Sequence, residues 1–384
     1  APQAPAPTAT PTPPPAAAPA QPGTPPRPPM PGQAAPQAVP GAPSAPGAMP
    51  PGAVRAPDGR MLPPAGTTRG PDGRPLPPAD ISERRIEDLR ERRRQRSEDG
   101  GRRVIIEEPG SRTIVREGDR MIIRHDESER FRRTYRDADV RVERLDGNNV
   151  TVVRRPDGTE IVTVLDEDGN LVRRARRVGG REVVLIDNRR DRRRDRGFFV
   201  EDILRLPPPV VRIPREEYIV EIEDASQEEI YEAFEAPPIE RIERAYTLDE
   251  VRQSAPLRDY MRRVDLDTIT FETGSWDLPE QQIGAMVGIA EAIKRALAAN
   301  PNEIFLVEGH TDAVGSDEDN LSLSDRRAET VATVLTQRFG IPAENLTTQG
   351  YGEQYLKVNT QVAERQNRRA TIRRITPLLQ GQAQ

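Results

Sequence analysis

Apolar and polar positions follow two different periods along this chain, and a long opening stretch follows neither. Residues 1–80 show no apolar periodicity. From about Arg102 to Ile186, short β-branched runs recur: Val104-Ile105-Ile106, Thr113-Ile114-Val115, Met121-Ile122-Ile123, Val150–Val153, Ile161–Leu165, Leu171-Val172 and Val183–Ile186. Gly147, Gly158, Gly169 and Gly180 return every 11 residues within turn sequences, so each period fits one short strand and a tight turn. The pattern predicts an antiparallel β-meander over 99–196. Arg, Asp and Glu fill its alternate positions, so at most one face can be buried.

Beyond residue 264 strands alternate with helices. Val264–Phe271 alternates as a half-buried strand. Pro279 suits a first helical position, after which Ile283, Met286, Val287, Ala290, Ile293 and Leu297 mark one face until Asn300-Pro301 stops the helix. Ile304–Val307 reads as a buried strand. A second helix starts near Asp319, buries Leu323, Ala328, Val331 and Leu335, and ends before Gly340 and Pro342. Leu346–Gln349 and Ala370–Ile375 complete the strands. Strands separated by long helices require crossovers, so the fold class is α+β: a C-terminal βαβαβ-type domain with a mixed sheet.

The connecting stretches are more polar. A helix rich in Glu and Arg is predicted over 81–98, capped by Asp80 or Ser82 and too polar for a core. Residues 197–263 read as an acidic connector with strands near 197–200 and 218–220. Ser226 with Glu229, and Thr247 in Thr-Leu-Asp-Glu, signal capped helix starts. Residues 377–384 form a flexible tail.

Composition changes the picture mainly at the N-terminus. Of the 40 prolines, 27 precede residue 81, so 1–80 is expected to be a disordered Pro/Ala/Gly-rich linker sampling extended states. A chain starting at Ala1 without a charged-then-apolar leader fits a product whose signal peptide has been removed, and equally a trimmed chain. Without cysteine there is neither a disulfide nor a thiolate metal site. No run approaches the roughly 18 apolar residues of a membrane helix. The meander lacks the apolar outer face and aromatic girdles of a transmembrane barrel. Its arginine runs are broken by Asp191 and Asp195 with no aromatic interleaving, so nucleic acid is not an expected partner.

The candidate chemistry lies in Val307–Val331. A carboxylate at Asp312 in a turn and a guanidinium at Arg327 on the following helix could hold a ligand bearing both an ammonium and a carboxylate. Three further readings stand beside this one. Asp312 and Arg327 could simply pair with each other. Glu308, His310 and Asp312 could form an acid–base or metal group. The meander could be the active part, as a module for a protein or lipopolysaccharide.

Phe271-Glu272-Thr273-Gly274, Gly309-His310-Thr311-Asp312 with Gly315, Asn320-Leu321 with Leu323-Ser324 and Arg327-Ala328, Gly340-Ile341-Pro342, Gly350-Tyr351-Gly352 and Asn367-Arg368-Arg369 stand in order over about 264–376. This segment resembles the OmpA-like C-terminal domain family, which includes peptidoglycan-associated lipoproteins and flagellar stator proteins. The resemblance implies a non-catalytic, peptidoglycan-binding domain in the periplasm or at the outer membrane of a Gram-negative bacterium, with no cofactor and no metal. Its ligand would be the diaminopimelate of stem peptides, lined by Asp312, Arg327, Asn320, Arg368, Thr311, Ala313 and Gly315. Asp312 would take the ammonium and Arg327 would make a paired contact with the carboxylate, while Arg326 would face solvent. Many family members carry Asn where this chain has Gly274. The protein would link the cell wall to the outer membrane or to a periplasmic partner, the latter through the meander or the N-terminal arm.

Overall fold

The structure is a computed structural model that describes residues 85–189 (except 168), Ile203 and residues 206–381, together with two short strands near the N-terminus. The chain divides into two compact units, 1–68 and 69–384. In the first, β1 (Val54–Arg55) pairs antiparallel with β2 (Met61–Leu62). The rest of the expected arm, and the strand expected at 197–200, lie outside the described residues.

The second unit opens with α1 (Ile86–Arg90), followed by four antiparallel strands in sequence order: β3 (Arg94–Glu98), β4 (Arg103–Glu108), β5 (Arg112–Glu117) and β6 (Arg120–His125). Of the helix expected over 81–98, the described residues form one turn and a half, Ile86–Arg90. Arg94–Glu98 instead pairs with β4, where backbone bonding outweighs the helix propensity of its Arg and Glu residues. The turn is also not wholly polar-faced, because Ile86 and Leu89 are buried against Leu323 and Trp276.

After α2 (Ser128–Thr134) comes a second antiparallel sheet: β7 (Asp139–Leu145), β8 (Asn148–Arg154), β9 (Glu160–Leu165), β10 (Leu171–Val178) and β11 (Arg181–Asp187). The meander is therefore two sheets, separated by α2. The four glycines at 11-residue spacing all adopt left-handed φ between 78° and 82°, as the tight hairpin turns require.

The connector contributes β12 (Ile219–Glu221), α3 (Gln227–Glu235) and α4 (Leu248–Gln253). Both helices start in reciprocal capping boxes, Ser226 with Glu229 and Thr247 with Glu250. Next come β13 (Arg263–Leu266), α5 (Val287–Ala299), β14 (Phe305–Gly309), α6 (Asp317–Phe339), β15 (Leu346–Gly350) and β16 (Ala370–Arg374). The expected strand to Phe271 stops at Leu266, where Ile269 N–H turns back to the Leu266 carbonyl. Val287 of the expected helical face is half exposed, while Met286, Ala290 and Ile293 are buried.

The C-terminal sheet is mixed, in the order β12-β13-β16-β14-β15, with β12 parallel to β13, β14 parallel to β15, and β16 antiparallel to β13 and β14. Both faces are buried. Phe305 and Val307 pack with α3, α5 and α6, through Phe234, Ile293 and Val331 among others. Leu306 and Ile304 face the opposite way and meet Leu185, Ile186, Leu248 and Val251. The first meander sheet packs Val104, Ile106, Ile114 and Ile123 on Leu321 of α6.

Candidate functional site

The site forms where β14 and β15 end against α6. Gly309 and Gly350 are register partners in the two strands. A Cβ on Gly309 would lie 1.9 Å from the Ser324 carbonyl oxygen, and one on Gly350 would lie 2.3 Å from the Asp325 backbone nitrogen. Only glycine at both places lets the helix backbone approach the strands this closely. The Asp325 carboxylate accepts from Gly350 N–H at 3.1 Å, which fixes the turn of helix that carries Arg327.

The loop after β14 is held by its backbone. His310 N–H donates to the Arg369 carbonyl at 3.0 Å and Thr311 N–H to the Gly352 carbonyl at 2.9 Å. Asp312 follows, buried to 7 % exposure, and its Oδ2 accepts from Arg368 Nη1 at 2.6 Å. Ala313 and Gly315 shape the turn into α6, whose N-cap Ser316 accepts from Asp319 N–H at 3.2 Å. One turn in, Asn320 Nδ2 donates to Glu353 Oε2 at 2.7 Å.

Arg327 is completely buried. Its Nε donates to the Ser275 carbonyl and its Nη2 to the Glu272 carbonyl, each at 3.0 Å, while its Nη1 has no partner. Burial, with the Arg368 charge nearby, pushes this guanidinium down to about 9, against a weaker opposing pull from Asp312. Thr311 Oγ1 and Arg368 Nε are likewise buried without a partner. Three donors on Arg327, Thr311 and Arg368 are thus unmet, and the cation paired with Asp312 is Arg368 and not Arg327. Unpaired buried donors each cost about 1–3 kcal/mol, and a ligand anion would recover that.

Two expectations need correction. Arg327 does not present a free fork, because two of its three nitrogens are engaged by carbonyls. Its paired contact reduces to Nη1 and whatever Nη2 can share. Arg326 does not face solvent: it is buried, donates to the Pro109 carbonyl at 2.8 Å and lies over the Trp276 ring. The first meander sheet occupies the side of α6 that helical periodicity alone would leave to water.

Glu308 and His310 do not join this group. Glu308 is buried and its carboxylate accepts from Arg373 Nε at 2.7 Å, with Arg258 Nε at 3.4 Å. His310 stacks on Tyr351 with ring centroids 5.7 Å apart. Burial, then the charge of Arg369, pushes its imidazole well below the usual range, so it stays neutral. Among the described residues no group of three or more His, Asp or Glu is placed to hold a metal ion. A cavity of about 390 Å³ between β6, α4 and the end of β15 is lined by Arg120, Arg252 and Gln354 among others; it reaches Gly350 but not Asp312, Arg327, Asn320 or Arg368.

Residue reading missed the carbonyls of Glu272 and Ser275 and the side chain of Glu353. The Phe271–Gly274 and Gly350–Gly352 motifs marked both neighbourhoods, but a backbone acceptor leaves no residue-type signal.

The model of the OmpA family matches residues 270–370. The chain is 35% identical over 108 residues to the peptidoglycan-associated lipoprotein of Haemophilus influenzae, covering 28% of this chain and 67% of the lipoprotein. It is 32% identical over 121 residues to outer membrane porin F of Pseudomonas aeruginosa, covering 32% of each. It therefore spans about a third of the porin and two thirds of the lipoprotein. Among solved structures, the peptidoglycan-associated lipoprotein from Burkholderia pseudomallei aligns with 25% identity and a TM-score of 0.24, over 27% of this chain and 86% of that one.

Proposed function

The chain belongs to the OmpA family through residues 270–370, and from that premise we propose that it is a non-catalytic cell-envelope protein that binds peptidoglycan. The ligand group is the diaminopimelate of a stem peptide, which carries a free ammonium and a free carboxylate on one carbon. One observation carries this reading: Arg327 is a buried guanidinium with an unpartnered Nη1 and no anion of its own, under the electrostatic influence of the largely buried Asp312–Arg368 pair. A cation in that state favours an incoming carboxylate.

In this reading the carboxylate sits between Arg327 Nη1, Arg368 Nε and Thr311 Oγ1. Asp312 retains lone pairs beyond its bond to Arg368 and accepts from the ammonium. Asn320 and the turn from Ala313 to Gly315 close the near side. One such site is weak, and retention on the polymer comes from many equivalent ligands and rebinding. Location in the periplasm or at the outer membrane follows for such a protein, whose described helices include none long and apolar enough to cross a membrane.

Co-sedimentation with purified sacculi tests the reading. The full chain is expected in the pellet, and Asp312→Ala in the supernatant with an unchanged circular dichroism spectrum. Pelleting of Asp312→Ala at the level of the unmodified chain would overturn the site. Release of soluble muropeptides from the sacculi would overturn the non-catalytic assignment.

A further inference from the structure

The second meander sheet has two edges of unlike character. At one, β11 buries Leu185 and Ile186 among Leu248, Val251 and their neighbours. At the other, β7 is exposed at every residue except the half-buried Val140. Val142 and Leu145 are 57 % and 53 % exposed, and the Glu143 side chain makes no hydrogen bond or ion pair among the described residues. An uncovered edge of this kind is a template for another strand.

The hairpin fixes which backbone groups of β7 are free. Asp146 and Gly147, with φ of 49° and 79°, form a two-residue turn, so Leu145 and its register partner Asn148 are a hydrogen-bonded pair. Such pairs alternate along an antiparallel ladder, so Leu145, Glu143, Arg141 and Asp139 bond inward to β8. Val140, Val142 and Arg144 turn their N–H and C=O groups outward. An added strand must bond to these residues.

A second copy of β7, running antiparallel, fits them in one register. With Val142 set opposite its own symmetry copy, Val140 meets Arg144, and outward-bonding residues face one another throughout. Arg141 then lies opposite Glu143 at a non-hydrogen-bonded pair, where side chains approach most closely, and the twofold axis makes this contact twice. A slip to the next allowed register in either direction sets Arg141 against Arg141 or Glu143 against Glu143, and like charges directly opposite are destabilising. Arg141 is available for the pairing: its Nε donates to Asp139 at 3.1 Å in an exposed contact, and its Nη groups have no partner among the described residues.

We propose that β7 is the surface through which two copies of this chain associate, joining their five-stranded sheets edge to edge. The contact lies outside the segment matched to the family model. Each copy contributes one strand, so the interface is small and the dimer weak, with a Kd on the order of 10 μM.

Sedimentation equilibrium of the full chain, over concentrations that bracket this Kd, tests the proposal, and a reversible monomer–dimer equilibrium is expected. Arg141→Glu and Glu143→Arg each place like charges at both crossings, so each variant alone is expected to stay monomeric. In an equimolar mixture the two variants are complementary at both crossings, and the dimer is expected to return. Val142→Pro removes an N–H that β8 does not use and is expected to be monomeric with a melting midpoint close to that of the unmodified chain. If that variant fails to fold, the charge variants decide alone. A full chain that stays monomeric overturns the proposal. So does dimerisation of either charge variant alone at the level of the unmodified chain, which puts the contact elsewhere. A mixture of the two that remains monomeric overturns it as well.

Discussion

In the proposed reading Arg327 combines two tasks: it ties the Glu272–Ser275 turn to α6, and its unpartnered Nη1 is the group that takes the ligand. The two tasks separate in mutants. Arg327→Ala leaves two carbonyls without their donors, at about 1–3 kcal/mol for each one that stays buried and unpaired. Its urea midpoint should fall along with its binding. Arg327→Lys keeps a charge but cannot reach both carbonyls and a ligand from one ammonium. It should unfold closer to the unmodified chain and still fail to bind diaminopimelate, and normal binding by the lysine variant would contradict the role given to Nη1. Asp312 and Arg327 could be picked out from residue type and order along the chain. The Asp312–Arg368 pair could not, because the partners lie far apart in sequence and meet only through β16 and the loop before it. Arg326 was misjudged for the same reason: helical spacing shows that it points away from Arg327, not what lies there.

The first meander sheet and α6 are joined by ion pairs as well as by Leu321. Arg112 Nε donates to Asp325 at 2.9 Å and its Nη2 to Glu329, while Arg93 Nη1 donates to Asp319 at 2.6 Å. Glu108 accepts from the Ser322 hydroxyl at 2.6 Å. Burial alone would raise the Glu329 carboxyl, but Arg112, His125 and Arg133 together outweigh it and hold the group down to about 2. Burial opposes the same effect at Asp325, which His125 and Arg112 hold well below the carboxylate range. Carboxyls depressed in the folded state stabilise it fully above their unfolded values, near 4, and lose that contribution as pH falls toward 2. Acid unfolding should therefore begin below about pH 4. Arg112→Ala should move its midpoint to higher pH and cost about 3–5 kcal/mol at neutral pH, as breaking a buried pair does. An unshifted acid midpoint would contradict this account of the contact. Most strands and both capping boxes were legible, because period, glycine turns and Ser/Thr-x-x-Glu are local signals. The helix over 81–98 failed because the competing partner of Arg94–Glu98 is β4, a tertiary pairing that propensity does not register.

At the scale of the whole molecule, the sequence suggests a spacer followed by a binding domain, whereas the described residues between 85 and 263 include many that pack against the C-terminal sheet and helices. β12 extends that sheet, α3 shares its core, and Leu185, Ile186, Leu248 and Val251 cover Ile304 and Leu306. Contacts of such long range have no periodic signature in one sequence, whereas both faces of Ile304–Val307 being apolar did hint at cover on two sides. A fragment beginning at residue 264 should expose that second face, bind a hydrophobic dye and self-associate. A monomeric fragment with the melting midpoint of the full chain would show the cover to be dispensable. The first meander sheet also fixes α6 from outside, so the helix that carries Arg327 is held by a part of the chain beyond the family-matched segment.

The central claim is that the pocket recognises an ammonium and a carboxylate on the same carbon. Sacculi whose stem peptides carry diaminopimelate differ at that carbon from sacculi carrying lysine, which keeps the amine and lacks the carboxylate. Co-sedimentation of the full chain with the two kinds, side by side, tests the claim most directly. The account predicts pelleting with the diaminopimelate type, reversal by free meso-diaminopimelate, and little or no pelleting with the lysine type. Equal pelleting with both, unaffected by the free amino acid, would contradict it.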